Sequence, residues 1–342
     1  MGKYDAAHKR LEEYDDVFSD IINGIVFQGR QVVKPDTLQD ASIEGVYQYD
    51  KNQLRTNRRD TAKFDRTSQM EAVLYGLENQ TEISNIMPVR TMGYDFVSYQ
   101  RQIDKIKGEN GRIGKQAFSK EIHSEQKLYP VITLVLYFGM EPWKTPVWLR
   151  DILQFPHGRR DELLPFISQH KINLVPVAWL SEEVRSRFRS DFQIVADFFA
   201  AKREKREADI FKDKREIKHI EAFLSFLQAY TSDKRYEKLR MDFADHSRKG
   251  ENVRMCTVMD LLEDKIKEES ALAMEQGVEQ GMKQGMEQGI AVMISSYLAD
   301  GFSKELILKR LVYYFSVTEK QAEEYYNQFT KIQEDHHDSA LS

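Results

Sequence analysis

Residues 72–80 read AVLYGLENQ, an apolar run that ends in a carboxylate and two amides. Such a run has the composition of a strand buried on both faces, which occurs mainly in sheets covered by helices. Side chains alternate along a strand, so Glu78 and Gln80 share one face while Val73, Tyr75, Leu77 and Asn79 share the other. A solvated acid at a strand end is common. Here, however, a second acid stands on the apolar side of an alternating stretch upstream: in RDTAKF, Asp60, Ala62 and Phe64 point one way and Arg59, Thr61 and Lys63 the other. Paired through the polar turn at residues 65–69, the two stretches would bring Asp60 and Glu78 to the same end of a hairpin.

Carboxylate pairs are ligands for Mg²⁺, with Mn²⁺ as the alternative, because these hard cations keep waters in their shell and can also hold a phosphate oxygen. A metal there lowers the pKa of its water and stabilises the charge that develops in phosphodiester cleavage. Gln80 adjoins Glu78. Residues 51–66 carry six basic side chains against Asp60 and Asp65, a net charge of +4 inside a chain of net charge −5. Arg58, Arg59 and Lys63 are the members of that segment expected to attract a polyanion such as DNA.

Other chemistries lack their motifs. There is no GxxxxGK[ST], GxGxxG, GxSxG or HExxH, which removes the recognisable nucleotide-binding, hydrolase and zinc-protease patterns. A single cysteine, Cys256, excludes an intramolecular disulfide and a multi-cysteine metal site. The eight histidines are scattered. No apolar run approaches the roughly 20 residues of a membrane span, and the opening MGKYDAAHKRLEEYDD has no apolar leader core, so the expected setting is a reducing cytoplasm without membrane attachment.

Several elements must position these groups. Residues 6–27 have a helical apolar stripe, Leu11, Tyr14, Val17, Phe18, Ile21, Ile22 and Ile25, with Asp16 and Asp20 on one flank. Those acids either point into a site or are solvated. Residues 31–58 show no sustained period and read as a connection. Pro88 opens a helix whose apolar positions Val89, Met92, Phe96, Val97, Ile103 and Ile106 should pack on the sheet, leaving Arg90, Asp95, Tyr99 and Gln102 on a polar flank. Residues 105–126 read as an exposed insertion. YPVITLVLYFG (129–139) and KINLVPVAW (171–179) are two further strands. Helix, strand pair, helix, strand, strand predicts an α/β core ending near residue 180.

Beyond it the pattern is helical over 181–262. The repeat EQGVEQGMKQGMEQGI (275–290) lies in a linker helix over 263–290, and residues 291–342 form a small helical tail with a capping box at Thr318 and Gln321. Glycine every fourth residue weakens a helix but permits close backbone approach. The repeat is thus either a self-association surface, making the chain a homo-oligomer through its C-terminal region, or a flexible connector.

Taken in order, the helix ending VFSDIINGIVFQGRQVVKP, the RRD segment, LENQ, the helix MPVRTMGYDFVSYQRQ and YPVITLVLYFG resemble the Rpn (YhgA-like) family of recombination-promoting nucleases and transposase-like proteins, in the PD-(D/E)XK nuclease superfamily. The resemblance spans about residues 10–180. It implies a restriction-endonuclease-like αβββαβ core with a helical C-terminal extension, a domain over 1–180, and Mg²⁺-dependent endonuclease activity on DNA linked to recombination or transposition. It places Asp60 as the metal-binding aspartate, Glu78 as the acid of the E-x-K pair and Gln80 in the position of its lysine. It also offers Asp20 as a metal-binding acid on the first helix and Tyr99 and Gln102 as supporting helix residues. Glutamine carries no charge and can only orient water or substrate, which leaves a catalytically inactive DNA-binding or assembly protein as the alternative. Cleavage of RNA would use the same ligands.

Overall fold

The computed structural model describes residues 11–339 apart from 43, 51–52, 68–69, 113–121, 123–124 and 250–252. The chain forms two compact units, Met1–Glu263 and Asp264–Ser342.

In the first unit the chain enters through a turn of helix at 11–12, breaks at 13–14 and continues as α1 (Asp15–Ile25). Val17, Phe18, Ile21 and Ile22 are buried, as the stripe predicts. Gly24 lets this helix approach the ring of Phe188: a Cβ added there would lie 2.3 Å from Phe188 Cε1, and that ring is itself buried. Gly24→Ala is therefore expected to destabilise the protein by about 1–3 kcal/mol in chemical denaturation, although alanine is the better helix former.

The connection expected over 31–58 contains strands instead. β1 (Leu38–Asp40) pairs with β4 (Thr61–Thr67), and β2 (Glu44–Asp50) with β3 (Gln53–Arg58) forms a separate antiparallel ribbon. Polar sequence hid them; β1, at the sheet edge, has one half-buried and two exposed residues and so no apolar alternation to read. β5 (Met70–Gln80) returns antiparallel along β4, Thr61 opposite Leu77; residues 68–69 of the expected turn lie outside the described residues.

Helix α2 (Met87–Arg112) follows, then β6 (Val131–Tyr137) and β7 (Asn173–Pro176), both parallel to β5. The result is a mixed five-stranded sheet in the order β1-β4-β5-β6-β7 within an α/β architecture. α2 runs several residues into the expected insertion, the rest of which lies mostly outside the described residues.

α2 also presents a face opposite to the one its sequence suggests. Met87, Thr91, Tyr94 and Gln102 are buried, whereas Val89, Met92 and Phe96 are exposed, Phe96 by 63%. The sheet explains this. Its surface towards α2 carries Gly76, Glu78, Gln80 and Thr133, polar groups that need polar partners, and the helix supplies them.

The other sheet face, with Tyr75, Leu77, Leu134 and Leu136, joins α1 in a core that continues through α3 (Asp191–Arg203), α4 (Ile220–Thr231), α5 (Arg235–Lys249) and the start of α6 (Met255–Ala299). Phe138, Phe199, Phe226 and Tyr230 pack there ring against ring.

In the second unit the glycine repeat is helical within α6, and Gly277, Gly281 and Gly285 have no neighbour within 4 Å of a Cβ position. Ile290 and Ile294 pack with α7 (Lys304–Phe315) and α8 (Glu319–Ser339). The predicted capping box is formed: Thr318 N donates to Gln321 Oε1 at 2.9 Å and Gln321 N to Thr318 Oγ1 at 3.2 Å. No helix among the described residues is long and apolar enough to cross a membrane.

Candidate active site

Strand pairing places the two acids. Because Thr61 faces Leu77, Asp60 falls level with Glu78, and the Asn79 amide donates to Asp60 Oδ2 at 2.8 Å. Glu78 is buried, 1% exposed, although it stands two residues from the strand end. Gln80 Nε2 donates to Glu78 Oε1 at 3.1 Å and to the Asn79 carbonyl at 2.7 Å, so alternation brings Glu78 and Gln80 together as expected.

Arg90, in the first turn of α2, donates through Nη2 to Glu78 Oε1 and, at 3.1 Å, to the Tyr94 hydroxyl. Partial burial works against the guanidinium charge, and Glu78 and Tyr94 outweigh it, raising the pKa of Arg90. Tyr94, buried beside Glu78, is held neutral, its pKa raised by burial and by that carboxylate. The helix thus supplies a positive charge where Gln80 supplies none.

A third acid lies close by, and the sequence did not single it out. Glu12 is fully buried, and its Oε2 accepts from Asn79 Nδ2 at 3.1 Å and Thr61 Oγ1 at 3.4 Å. Its Oε1 has no hydrogen-bond partner. Burial raises its pKa to about 8; the nearby charges of Asp60 and Glu78 add to the rise, while the hydrogen bonds from Asn79 and Thr61 oppose it. In LEEYDD this residue reads as one of several solvated acids. The break at 13–14 turns it inward onto the Asn79 face of β5, opposite to the face that carries Glu78.

No protein-family model, curated protein or solved structure matches this chain.

Two of the expected phosphate contacts are corrected. Lys63 is buried and committed: Nζ donates to Asp15 at 2.7 Å, Asp40 at 2.6 Å and the Glu13 carbonyl at 3.0 Å. Desolvation alone would lower its pKa, but Asp15 and Asp40 raise it. Arg59 is also buried, its stem crossing β5 where Gly76 leaves room (a Cβ there would lie 2.9 Å from Arg59 Cδ), and it pairs with Asp95 at 2.9 Å. Neither can reach a phosphate without leaving the buried position in which its charge is already paired, Lys63 with two more exposed acids and Arg59 with the largely buried Asp95. Arg58 closes β3, and its side chain lies outside the described residues.

Asp20 is corrected as well. Its Oδ2 accepts from Arg189 N (2.8 Å), Ser190 N (2.8 Å) and Ser190 Oγ (2.7 Å), fixing the N-terminus of α3. Asp16, on the same flank, engages Lys218 at 2.7 Å and His219 at 3.0 Å; these contacts hold its carboxyl low against the opposing effect of burial.

Tyr99 and Gln102 serve the far end of the sheet. Val131 N donates to the Tyr99 hydroxyl, and Gln102 exchanges hydrogen bonds with both backbone groups of Tyr129. Val131 is level with Leu74, six residues and about 20 Å along the strand from Gln80.

The donor set that remains, Asp60 and Glu78, is hard oxygen, and Mg²⁺ is commonly bound by one or two carboxylates together with waters and substrate phosphate. These residues fit such an ion by donor chemistry. Among the described residues no group of three or more His, Cys, Asp or Glu side chains is gathered around a metal position.

Proposed function

We propose that the chain is a metal-dependent nuclease acting on the phosphodiester backbone of DNA, with a role in recombination or transposition. The observation that carries this reading is the meeting of Asp60 and Glu78 at the end of one hairpin, Glu78 buried there beside Arg90. A buried carboxylate is costly, and a metal or reaction site is one setting that retains it.

Asp60 and Glu78 would hold Mg²⁺ or Mn²⁺. When bound, the ion supplies Lewis acidity and a water of lowered pKa. Gln80, already hydrogen-bonded to Glu78, can orient a water or a phosphate oxygen but cannot carry its proton. Tyr94 stays protonated as a hydrogen-bond donor. With Lys63 and Arg59 committed elsewhere, Arg90 is the cation placed to meet phosphate charge.

A second reading has its own support: the ion pair with Arg90 and the glutamine at position 80 also suit a catalytically inactive protein that keeps the architecture and binds DNA or assembles through its C-terminal helices. Plasmid nicking with Mg²⁺ or Mn²⁺ separates the two. Under the nuclease reading, wild type nicks and both Asp60→Ala and Glu78→Ala lose at least about 100-fold in rate. Nicking that survives both substitutions removes this site, and a wild type that binds but does not cut DNA supports the second reading.

A further inference from the structure

We propose that Arg90 is a built-in counter-ion that a divalent cation must displace from Glu78, so that its guanidinium sets the metal affinity of the site. This rests on the metal-dependent reading above.

The geometry supplies three reasons. First, the Glu78 side chain is 2% exposed, and Arg90 donates to its Oε1, an oxygen that a hard cation would take. A guanidinium and a divalent ion on one buried carboxylate oxygen repel each other at short range, where little solvent screens them. Second, Arg90 has a path to solvent. Its side chain is 34% exposed, it stands in the first turn of α2, and besides Glu78 its hydrogen bonds among the described residues go to the Tyr94 hydroxyl and, at 3.8 Å, to Met87 Sδ, with the charge of Asp60 a further attraction.

Third, the neighbouring cation cannot take over. Arg59 is 3% exposed, lies across Gly76 and is tied to Asp95, itself held by Thr133 Oγ1 at 2.9 Å. One movable guanidinium and one fixed one therefore border Glu78. A swing of Arg90 towards solvent frees the carboxylate for metal and carries positive charge to the rim, where an incoming phosphate arrives.

The test is calorimetric titration of Mn²⁺ into the full chain and its Arg90→Gln and Arg90→Lys variants, without nucleic acid. Glutamine keeps a donor for Glu78 and removes the competing charge, so Arg90→Gln should bind Mn²⁺ about tenfold tighter or more, with Arg90→Lys close to wild type. Metal-free Arg90→Gln should melt lower than wild type, and Mn²⁺ should raise its melting temperature by the larger amount. A second variant, Tyr94→Phe, removes the other anchor of the guanidinium without altering the charge at Glu78 and should tighten Mn²⁺ binding by a smaller factor.

If Arg90 is merely structural, or holds the ion's shell together, Arg90→Gln will bind Mn²⁺ as weakly as wild type or more weakly, and the inference falls. No uptake by any of the proteins also overturns it. Tighter binding by Arg90→Gln without DNA nicking by any protein leaves the counter-ion role standing and removes the nuclease reading.

Discussion

Glu12→Gln is expected to stabilise the protein, and by an amount that grows with pH. The Glu12 carboxyl is fully buried, its pKa is raised from 4.5 to about 8, chiefly by burial, and its Oε1 has no hydrogen-bond partner. In the unfolded chain the same group ionises near its ordinary value. Between about pH 4.5 and 8 the folded state therefore holds a proton that the unfolded state has released. Stability then falls as pH rises through that window and levels off above it.

The full penalty, 3.5 pH units at about 1.4 kcal/mol each, has an upper bound of about 5 kcal/mol. Glutamine keeps the oxygen that accepts from Asn79 and Thr61 and does not titrate. Thermal melts without divalent cations should show variant and wild type together near pH 4.5 and the variant higher by about 5–10 °C at pH 8.5. A difference that stays constant across that range would mean that Glu12 is not held protonated by its surroundings.

Asp20→Ala should have the second largest effect, in the opposite direction. One carboxylate oxygen receives two backbone amides and a hydroxyl where α1 meets the start of α3, and Ser190 Oγ in turn accepts from Phe192 N at 3.2 Å. Alanine leaves three part-buried donors without their acceptor, a loss of about 2–4 kcal/mol. Asn keeps an acceptor oxygen and should lose less than half of that. Chemical denaturation at neutral pH reads the loss, and Mn²⁺ titration of Asp20→Asn completes the test. Unchanged metal affinity is expected, whereas a tenfold weakening would return Asp20 to the role of a metal ligand.

The sequence by itself determined the hairpin that matters most. The alternating RDTAKF and the apolar run after it pair as antiparallel strands with Thr61 opposite Leu77, which sets Asp60 level with Glu78, although residues 65–67, expected in the turn, continue the strand. The pattern also indicated the part of α1 from Asp15 to Ile25, the centres of the two parallel strands and the capped final helix, because those signals arise within ten or twenty neighbouring residues. It did not show the break at 13–14 or the turn of 3-10 helix that ends the last strand.

Tertiary structure decided which charges were available. Lys63 meets Asp15 and Asp40, Arg59 meets Asp95 and Asp20 meets Ser190, partners 23 to 170 positions away that no local period reveals. It likewise turned α2 over, since a sheet face bearing Glu78, Gln80 and Thr133 gains more from the polar side of that helix than from its apolar one. Periodicity reports where a side chain lies around its own element. Which side of the element is buried, and which cation a carboxylate keeps, depends on desolvation and pairing across the whole molecule.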